Sequence, residues 1–494
     1  MSLHTAIIGA GIGGLAAACR LAKDGHQVTV FERNGAPGGK MNRVTSQGYY
    51  FDTGPSLLTM PHVLEELFHY CGYETSEWLE TVELEPGCRY FFADGTEFNI
   101  YSKMGQTLDE LQRIAPEDIT AYQEFFYYFS NLYRKTQPAF IDNPLQEWRD
   151  IFAADLKDVL SIDAFTTVSK RVDSYFSSPY LRQLFKRFTT YNGSSPYQAP
   201  ATLNVIPHVE LNQGSYYVKG GIYAIAQSLE KMAKTLGVQF HYNTPVTGLV
   251  INDTNVEGIT TGGPGSPNEH PFDRVVANSD ATETYLELVS EGRLSTRKKE
   301  KIASIEPSCS GFVLLLGIDR TYEQLCHHNI FFSSQYEEEF RQIFREKKMP
   351  DDPTIYVVNT SLTDHGHAPE GHSNLFILVN APYLTDEQNW YELSKTYAGH
   401  IINELEKRGL DGLERHIRFQ SVITPRDFYQ RYRSNRGSIY GTSSNSRWAA
   451  FRRPKNKSPY FENLYLVGGS THPGGGIPLV LLSAKHAHTL MKRN

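Results

Sequence analysis

The sequence predicts an α/β protein: a parallel, dinucleotide-binding sheet with helices, interrupted by a sheet-plus-helix unit and by a mainly helical cap. Three observations predict it. The chain opens on an apolar strand, a glycine turn, a helix and a second strand ending in an acid. It closes on another strand, a glycine-rich turn and a helix. Between them, strand–turn–helix–strand patterning returns around residues 215–280, far from its first occurrence.

The first unit is "HTAIIGAGIGGLAAACRLAKDGHQVTVFERN", from His4 to Asn34. Ala6 to Ile8 form a short apolar run suited to a buried parallel strand. Gly9, Gly11 and Gly14 then give G-x-G-x-x-G. Gly9 permits the tight turn, Gly11 lets backbone approach a pyrophosphate, and Gly14 lets helix pack on strand. The helix N-terminus offers unpaired N–H groups to phosphate oxygens. Glu32 lies 21 residues beyond Gly11, at the end of the next strand, where it can accept hydrogen bonds from ribose hydroxyls. An acid there repels a 2′-phosphate, so NADP is not expected. With strand, helix and acid in register the motif is strong.

A second turn follows in "NGAPGGKMNRVTSQGYYFDTGPS". Gly38-Gly39-Lys40 and Asp52-Thr53-Gly54-Pro55 suggest a ligand that extends past its adenosine, with Lys40 or Arg43 facing the pyrophosphate. An ordinary surface turn is the alternative.

From about Pro61 to Asn192 helical patterns dominate. "AYQEFFYYFSNLYRK" places Tyr122, Phe125, Phe126, Phe129, Leu132 and Tyr133 on one face. That face fits core packing, or insertion into a membrane interface. The 30 tyrosines and 27 phenylalanines fit an aromatic core, or an aromatic-lined path for a long apolar ligand. Residues 215–280 then give a strand, a turn at Gly220-Gly221, a helix, a hairpin-like alternation, and a buried strand ending at Asn278. "PGSPNEHP" (Pro264–Pro271) reads as a loop. Strands such as "SGFVLLLGI", "PTIYVVNT" and "NLFILVN" separate helices across 300–430. The expected organisation is a discontinuous nucleotide-binding domain (1–80, 210–300 and 430–494), a mainly helical cap (81–209) and a substrate-binding unit (301–429).

The closing stretch "LYLVGGSTHPGGGIPLVLLSAK" brings a strand into Gly468-Gly469-Ser470 and presents a new helix N-terminus between Gly474 and Pro478, with proline tolerated in the first turn. A flavin ring gains negative charge on reduction, and helix amides aimed at it favour that state. The first cluster is therefore expected to hold the phosphates of FAD and the last its redox end. His472 is the candidate acid/base group, or else a turn residue bonding backbone.

Other classes are disfavoured. A net charge of −7 does not suit a nucleic-acid binder. Five scattered cysteines give neither a disulfide framework nor CxxC spacing. The N-terminus lacks the features of a signal peptide, and no stretch is apolar for the length a spanning helix needs. Cys326-His327-His328 and Asp364-His365-Gly366-His367 lack ligand spacing, so no metal is expected. Arg433 and Arg436 could meet head groups, cofactor phosphates or nothing. Arg452-Arg453-Pro454-Lys455 reads as a solvated loop, or as a membrane-facing patch.

Together the N-terminal glycine motif, "GGKMNRVTSQGYYFDTGPS", "YYVKGGIYAIAQSLEKMA" and "VGGSTHPGGGIPLVLLSAK" resemble the carotenoid/retinoid oxidoreductase family, the bacterial phytoene-desaturase-like branch of the amine-oxidase-like flavoproteins. The similarity spans essentially the whole chain. "YLRQLFKRFTTYNGSSPYQAPATL", "HHNIFFSS", "PDDPTIYVVNTSLTDHGHAPEG" and "RYRSNRGSIYG" look most like a subgroup that oxidises a terminal methyl group of a C30 carotenoid, of the 4,4′-diaponeurosporene or diapolycopene type, to an aldehyde. The resemblance implies FAD held by Gly9, Gly11, Gly14 and Glu32, by Lys40 and Gly54 in the second turn, by Val246 through its backbone, and by Gly468, Gly469, Gly476, Ile477, Pro478 and Leu479. Ser470 departs from the many relatives that carry an acid there, but carotenoid desaturases commonly lack it too, so the resemblance implies FAD binding that survives, weaker and easily lost. The resemblance further implies a long apolar carotenoid as substrate and a cytoplasmic enzyme lying peripherally on the cell membrane. A carotenoid desaturase is the alternative activity, and a non-catalytic lipid-binding escort the distant one. Oligomeric state, oxygen source and electron acceptor stay open.

Overall fold

The strand His4–Ile8 sits centrally in a five-stranded parallel sheet, between Gln27–Phe31 and Arg274–Ala277. Gln239–His241 and Leu464–Leu466 close its two edges. Four segments distant in sequence thus build one sheet. In a computed structural model, residues 2–146, 162–263, 266–446 and 449–493 are described. Every residue of His4–Ile8 after the first is buried, as a strand covered on both faces requires. The helices Ile12–Lys23, Ala224–Thr235 and Ile477–Lys492 cover one face through a core that includes Ile7, Leu15, Leu229 and Leu481, while Ala6 and Ile8 on the other face pack into a second core with Leu249, Val256 and Ile259.

A second sheet has seven strands in the order Ile417–Ile423, Ser310–Ile318, Ser373–Ala381, Ile355–Val358, His328–Phe331, Cys88–Phe91 and Glu97–Ile100. Its pairings are antiparallel except between His328–Phe331 and Cys88–Phe91. The last two strands come from the stretch whose sequence reads as mainly helical. Four residues each are too short to show an alternation, and their place is decided by pairing with a distant strand.

A three-stranded antiparallel sheet, Val246–Asn252, Asn255–Thr261 and Asn268–Pro271, packs beside the first. Its third strand falls where a loop is expected. Proline is tolerated because the strand is an edge; Pro264 and Gly265 lie outside the described residues.

The aromatic helix Ile119–Thr136 turns Tyr122, Phe125, Phe129, Leu132 and Tyr133 inward. Phe125 touches Phe129, Tyr175, Phe176 and Phe185 edge-on, the arrangement that ring quadrupoles favour. Its aromatic face is therefore core, and only Tyr127, 70% exposed, stands well out.

Candidate active site

A continuous cavity of 920 Å³ runs from the carboxyl end of the five-stranded sheet to the face of the seven-stranded one. The end of a parallel sheet is where α/β folds bind nucleotides, because the strand-to-helix turns open there. Gly9, Gly11, Glu32, Lys40, Gly54, Val246, Gly468, Gly469, His472, Gly476, Ile477, Pro478 and Leu479 all line this cavity. Gly14 does not; it lies where helix meets strand, and a Cβ there would stand 2.1 Å from the Gly9 carbonyl oxygen.

The two glycine clusters meet. A Cβ on Gly13 would stand 3.0 Å from the amide nitrogen of Gly468, and the Asn278 side chain crowds both Gly11 and Gly468. Asn278 Nδ2 donates to the Gly9 carbonyl at 3.5 Å. Asn278 is therefore the link between the two turns. The sequence marks it as a strand end, with nothing to distinguish its side chain.

Helix Ile12–Lys23 begins at Gly11 and helix Ile477–Lys492 at Gly476, each with no side-chain cap. Their first N–H groups are left for an outside acceptor. Gly476 has φ +101°, and nothing lies within 4 Å of where a Cβ would be. Any side chain there would stand in open space at the cavity wall.

Glu32 is buried and accepts from the Ala10 and Asn34 amides at 2.8 Å each. The amine of Lys40 donates to the Ser438 and Ile439 carbonyls at 2.9 and 3.1 Å. Desolvation brings this ammonium down to about 8, against the pull of Asp280. Of the two cations expected to face the cavity, Lys40 lines it, whereas Arg43 lies over the Tyr223 ring. Asp52 anchors the second turn by accepting from the Ile222 and Tyr223 amides at 2.9 and 3.0 Å. Ser470 Oγ accepts from the Ala281 amide at 2.9 Å.

Arg453 corrects the expectation of a solvated loop. It is 8% exposed and donates to the Gly469 and Thr442 carbonyls at 3.3 Å and to Ser444 Oγ at 3.1 Å. Among the described residues no carboxylate pairs with it, and burial lowers its guanidinium to about 10. A charge held by carbonyls and a hydroxyl alone is costly to bury, which marks it as a functional candidate. Arg433 lines the cavity and stacks on Tyr429, whereas Arg436 lies over Tyr383.

His472 stands in the cavity wall with Nε2 3.0 Å from the Asn143 carbonyl oxygen. Its ring stacks on His486 at 5.3 Å. Burial holds His472 down to about 4 and His486 to about 3, so both are neutral at pH 7. Their stabilising contribution is complete above the unfolded value near 6.5 and is lost as pH falls through the folded values. The expected outcome is a fall in urea midpoint from pH 7 to pH 5 that His486→Phe reduces by roughly 1–2 kcal/mol of unfolding free energy. An equal fall in both proteins would refute it.

A family model described as flavin-containing amine oxidoreductase matches residues 12–488. The chain belongs to that family. It is an FAD-dependent oxidoreductase, and the glycine-lined cavity fits such a cofactor at both ends. This flavoenzyme is 38% identical to 4,4′-diaponeurosporene oxygenase of Staphylococcus aureus over 98% of its own length and 97% of that protein's. In fold it is similar to an oxidoreductase from Methanosarcina mazei (TM-score 0.64, 18% identity, 99% and 100% of the two chains covered). It is also similar to putrescine oxidase (TM-score 0.66, 15% identity, both chains covered in full). Among the described residues of the flavoenzyme, no helix is long and apolar enough to cross a membrane.

Proposed function

We propose that this flavoenzyme oxidises a terminal methyl group of a C30 carotenoid to an aldehyde. The observation that carries the reading is the continuity of the glycine-lined cavity with an apolar channel. Val313, Phe376 and Leu378 of the seven-stranded sheet line that channel together with Ile162, Leu203 and Ile206. Such a wall binds a polyene by apolar burial, worth about 25 cal/mol per Å². The resemblance to a carotenoid oxygenase along the whole chain supports the same substrate class.

In this reading the amides around Gly9 and Gly11 hold the pyrophosphate, with Gly14 supporting the turn, Gly54 bordering it and Lys40 supplying positive charge. Glu32 receives the ribose, and Val246 meets the adenine through its backbone. Gly468, Gly469 and the Gly476–Leu479 segment border the redox end. FAD bound there supplies a two-electron acceptor for oxidation of the allylic C–H bond. The N-terminus of Ile477–Lys492 and the charge of Arg453 favour negative charge at that end. The apolar walls exclude water from the reacting carbon. His472, held neutral, donates its Nε2–H to the Asn143 carbonyl and orients the turn. With dioxygen as both oxidant and oxygen donor the net change balances as R–CH3 + O2 → R–CHO + H2O.

The polyene must come from a bilayer. Phe165, 76% exposed, lies beside the cavity-lining Ile162 and Ala164, and we place the membrane-facing mouth there.

The test is incubation of the FAD-loaded protein with a C30 polyene in vesicles, followed by product mass. The expected product has gained one oxygen and lost two hydrogens. Loss of hydrogen pairs alone would make it a desaturase. No conversion, with no bleaching of bound FAD, would leave a lipid-binding escort.

A further inference from the structure

One stretch of the cavity wall does not suit a hydrocarbon. Arg187 and Glu210 both line the cavity. They form an ion pair at 2.9 Å with side chains only 6% and 5% exposed. Arg187 Nε also donates to Tyr90 Oη at 3.0 Å, and Tyr191 Oη donates to Glu210. Tyr356 completes the patch, bridging His328 Nδ1 at 2.8 Å and Ser56 Oγ at 2.9 Å. A second, independent feature points to a ligand. Tyr336 lines the same cavity, is 9% exposed, and among the described residues its hydroxyl has no hydrogen-bond partner.

A hydrocarbon laid against these groups would strip their remaining water and return nothing. A ligand oxygen would repay that loss and would satisfy the Tyr336 hydroxyl, since buried polar groups are rarely left unpaired. The patch sits where helical segments 187–210 meet the His328–Phe331 and Ile355–Val358 strands, within the channel assigned above to the polyene.

We propose that Arg187, Glu210, Tyr191, Tyr336 and Tyr356 form a polar subsite that receives an oxygen-bearing end of the polyene, a terminal alcohol or aldehyde. The inference rests on the polyene reading of the channel and adds end-group recognition to it. The Tyr336 hydroxyl donates to the ligand oxygen, and the Arg187–Glu210 pair holds the surrounding dipoles in place. A chain oxidised at one terminus is thereby bound in preference to its hydrocarbon parent.

The test uses the full-length, FAD-loaded protein and three probes: a C30 polyene hydrocarbon, its terminal alcohol and its terminal aldehyde. Binding is read from the shift of polyene absorption on titration. The wild type is expected to bind the oxygenated probes about tenfold more tightly than the hydrocarbon, the scale of one well-formed hydrogen bond in a dry site. Tyr336→Phe is expected to reduce that preference to about threefold or less. Arg187→Met combined with Glu210→Gln, checked for folding by its thermal transition, is expected to do the same. Equal binding of all probes by the wild type would overturn the subsite alone, as would a preference that survives in both variants. Failure of every probe to bind would overturn the polyene channel and the subsite together.

Discussion

Gly14→Ala is expected to yield protein that loses FAD during purification and melts several degrees below the parent. The added Cβ would stand 2.1 Å from the Gly9 carbonyl oxygen, 3.2 Å from Asn278 Cβ and 3.3 Å from Ile7 Cγ2. The nearest of these is backbone, and no rotamer change relieves it. Helix Ile12–Lys23 must therefore move off the strand His4–Ile8, taking the first glycine turn with it. Overpacking of this kind costs roughly 1–3 kcal/mol and at times more. The displaced turn also loses its register with Gly468 across Asn278. Gly399→Ala is the control. Gly399 is exposed within helix Trp390–Lys407, with nothing within 4 Å of a Cβ, and the change is expected to raise stability by up to about 1 kcal/mol. Flavin absorbance per polypeptide and the thermal midpoint report both variants. Full flavin content in Gly14→Ala would refute the close-packing account.

Arg453→Met is expected to lower the two-electron midpoint potential of the bound flavin. In the reading proposed above Arg453 is a buried cation beside the redox end; such a charge favours the state that carries more negative charge, so its removal is expected to favour the oxidised form. If the charge contributes roughly 1–3 kcal/mol there, the shift is roughly 20–60 mV downward, since about 30 mV corresponds to about 1.4 kcal/mol for two electrons. Sulfite, which adds to oxidised flavin to give an anion, should bind more weakly in parallel. Arg453→Lys keeps the charge and is expected to recover much of the potential, though not the forked contact with Gly469 and Thr442. An unchanged potential in a variant that retains FAD would show that Arg453 only packs the turn.

The nucleotide end of the site was legible because its physics is local. A tight turn, a close backbone approach and an acid on the next strand leave glycines and Glu32 at fixed spacing. The closing cluster was legible as a turn for the same reason, since Gly468 and Gly476 both hold φ +101°, a backbone that only glycine takes freely. Arg453 was not legible. In "FRRPKNK" it reads as surface charge, and its burial arises from distant residues, Thr442, Ser444 and Gly469, folding over it. Asn278 was missed likewise, because its work lies between two turns separated by most of the chain. The strands Cys88–Phe91 and Glu97–Ile100 exist through pairing with His328–Phe331, which four-residue windows cannot foretell. Arg187 and Glu210 stand 23 residues apart, and nothing in the sequence marks them as partners.

Glycine turns and apolar channel share one uninterrupted space, so in the reading proposed above the coenzyme itself would form part of the wall against which the substrate lies. If a polyene is the substrate proposed above, a protein short of flavin would then offer it a trough without a floor, and would lose its hold on substrate as well as its chemistry.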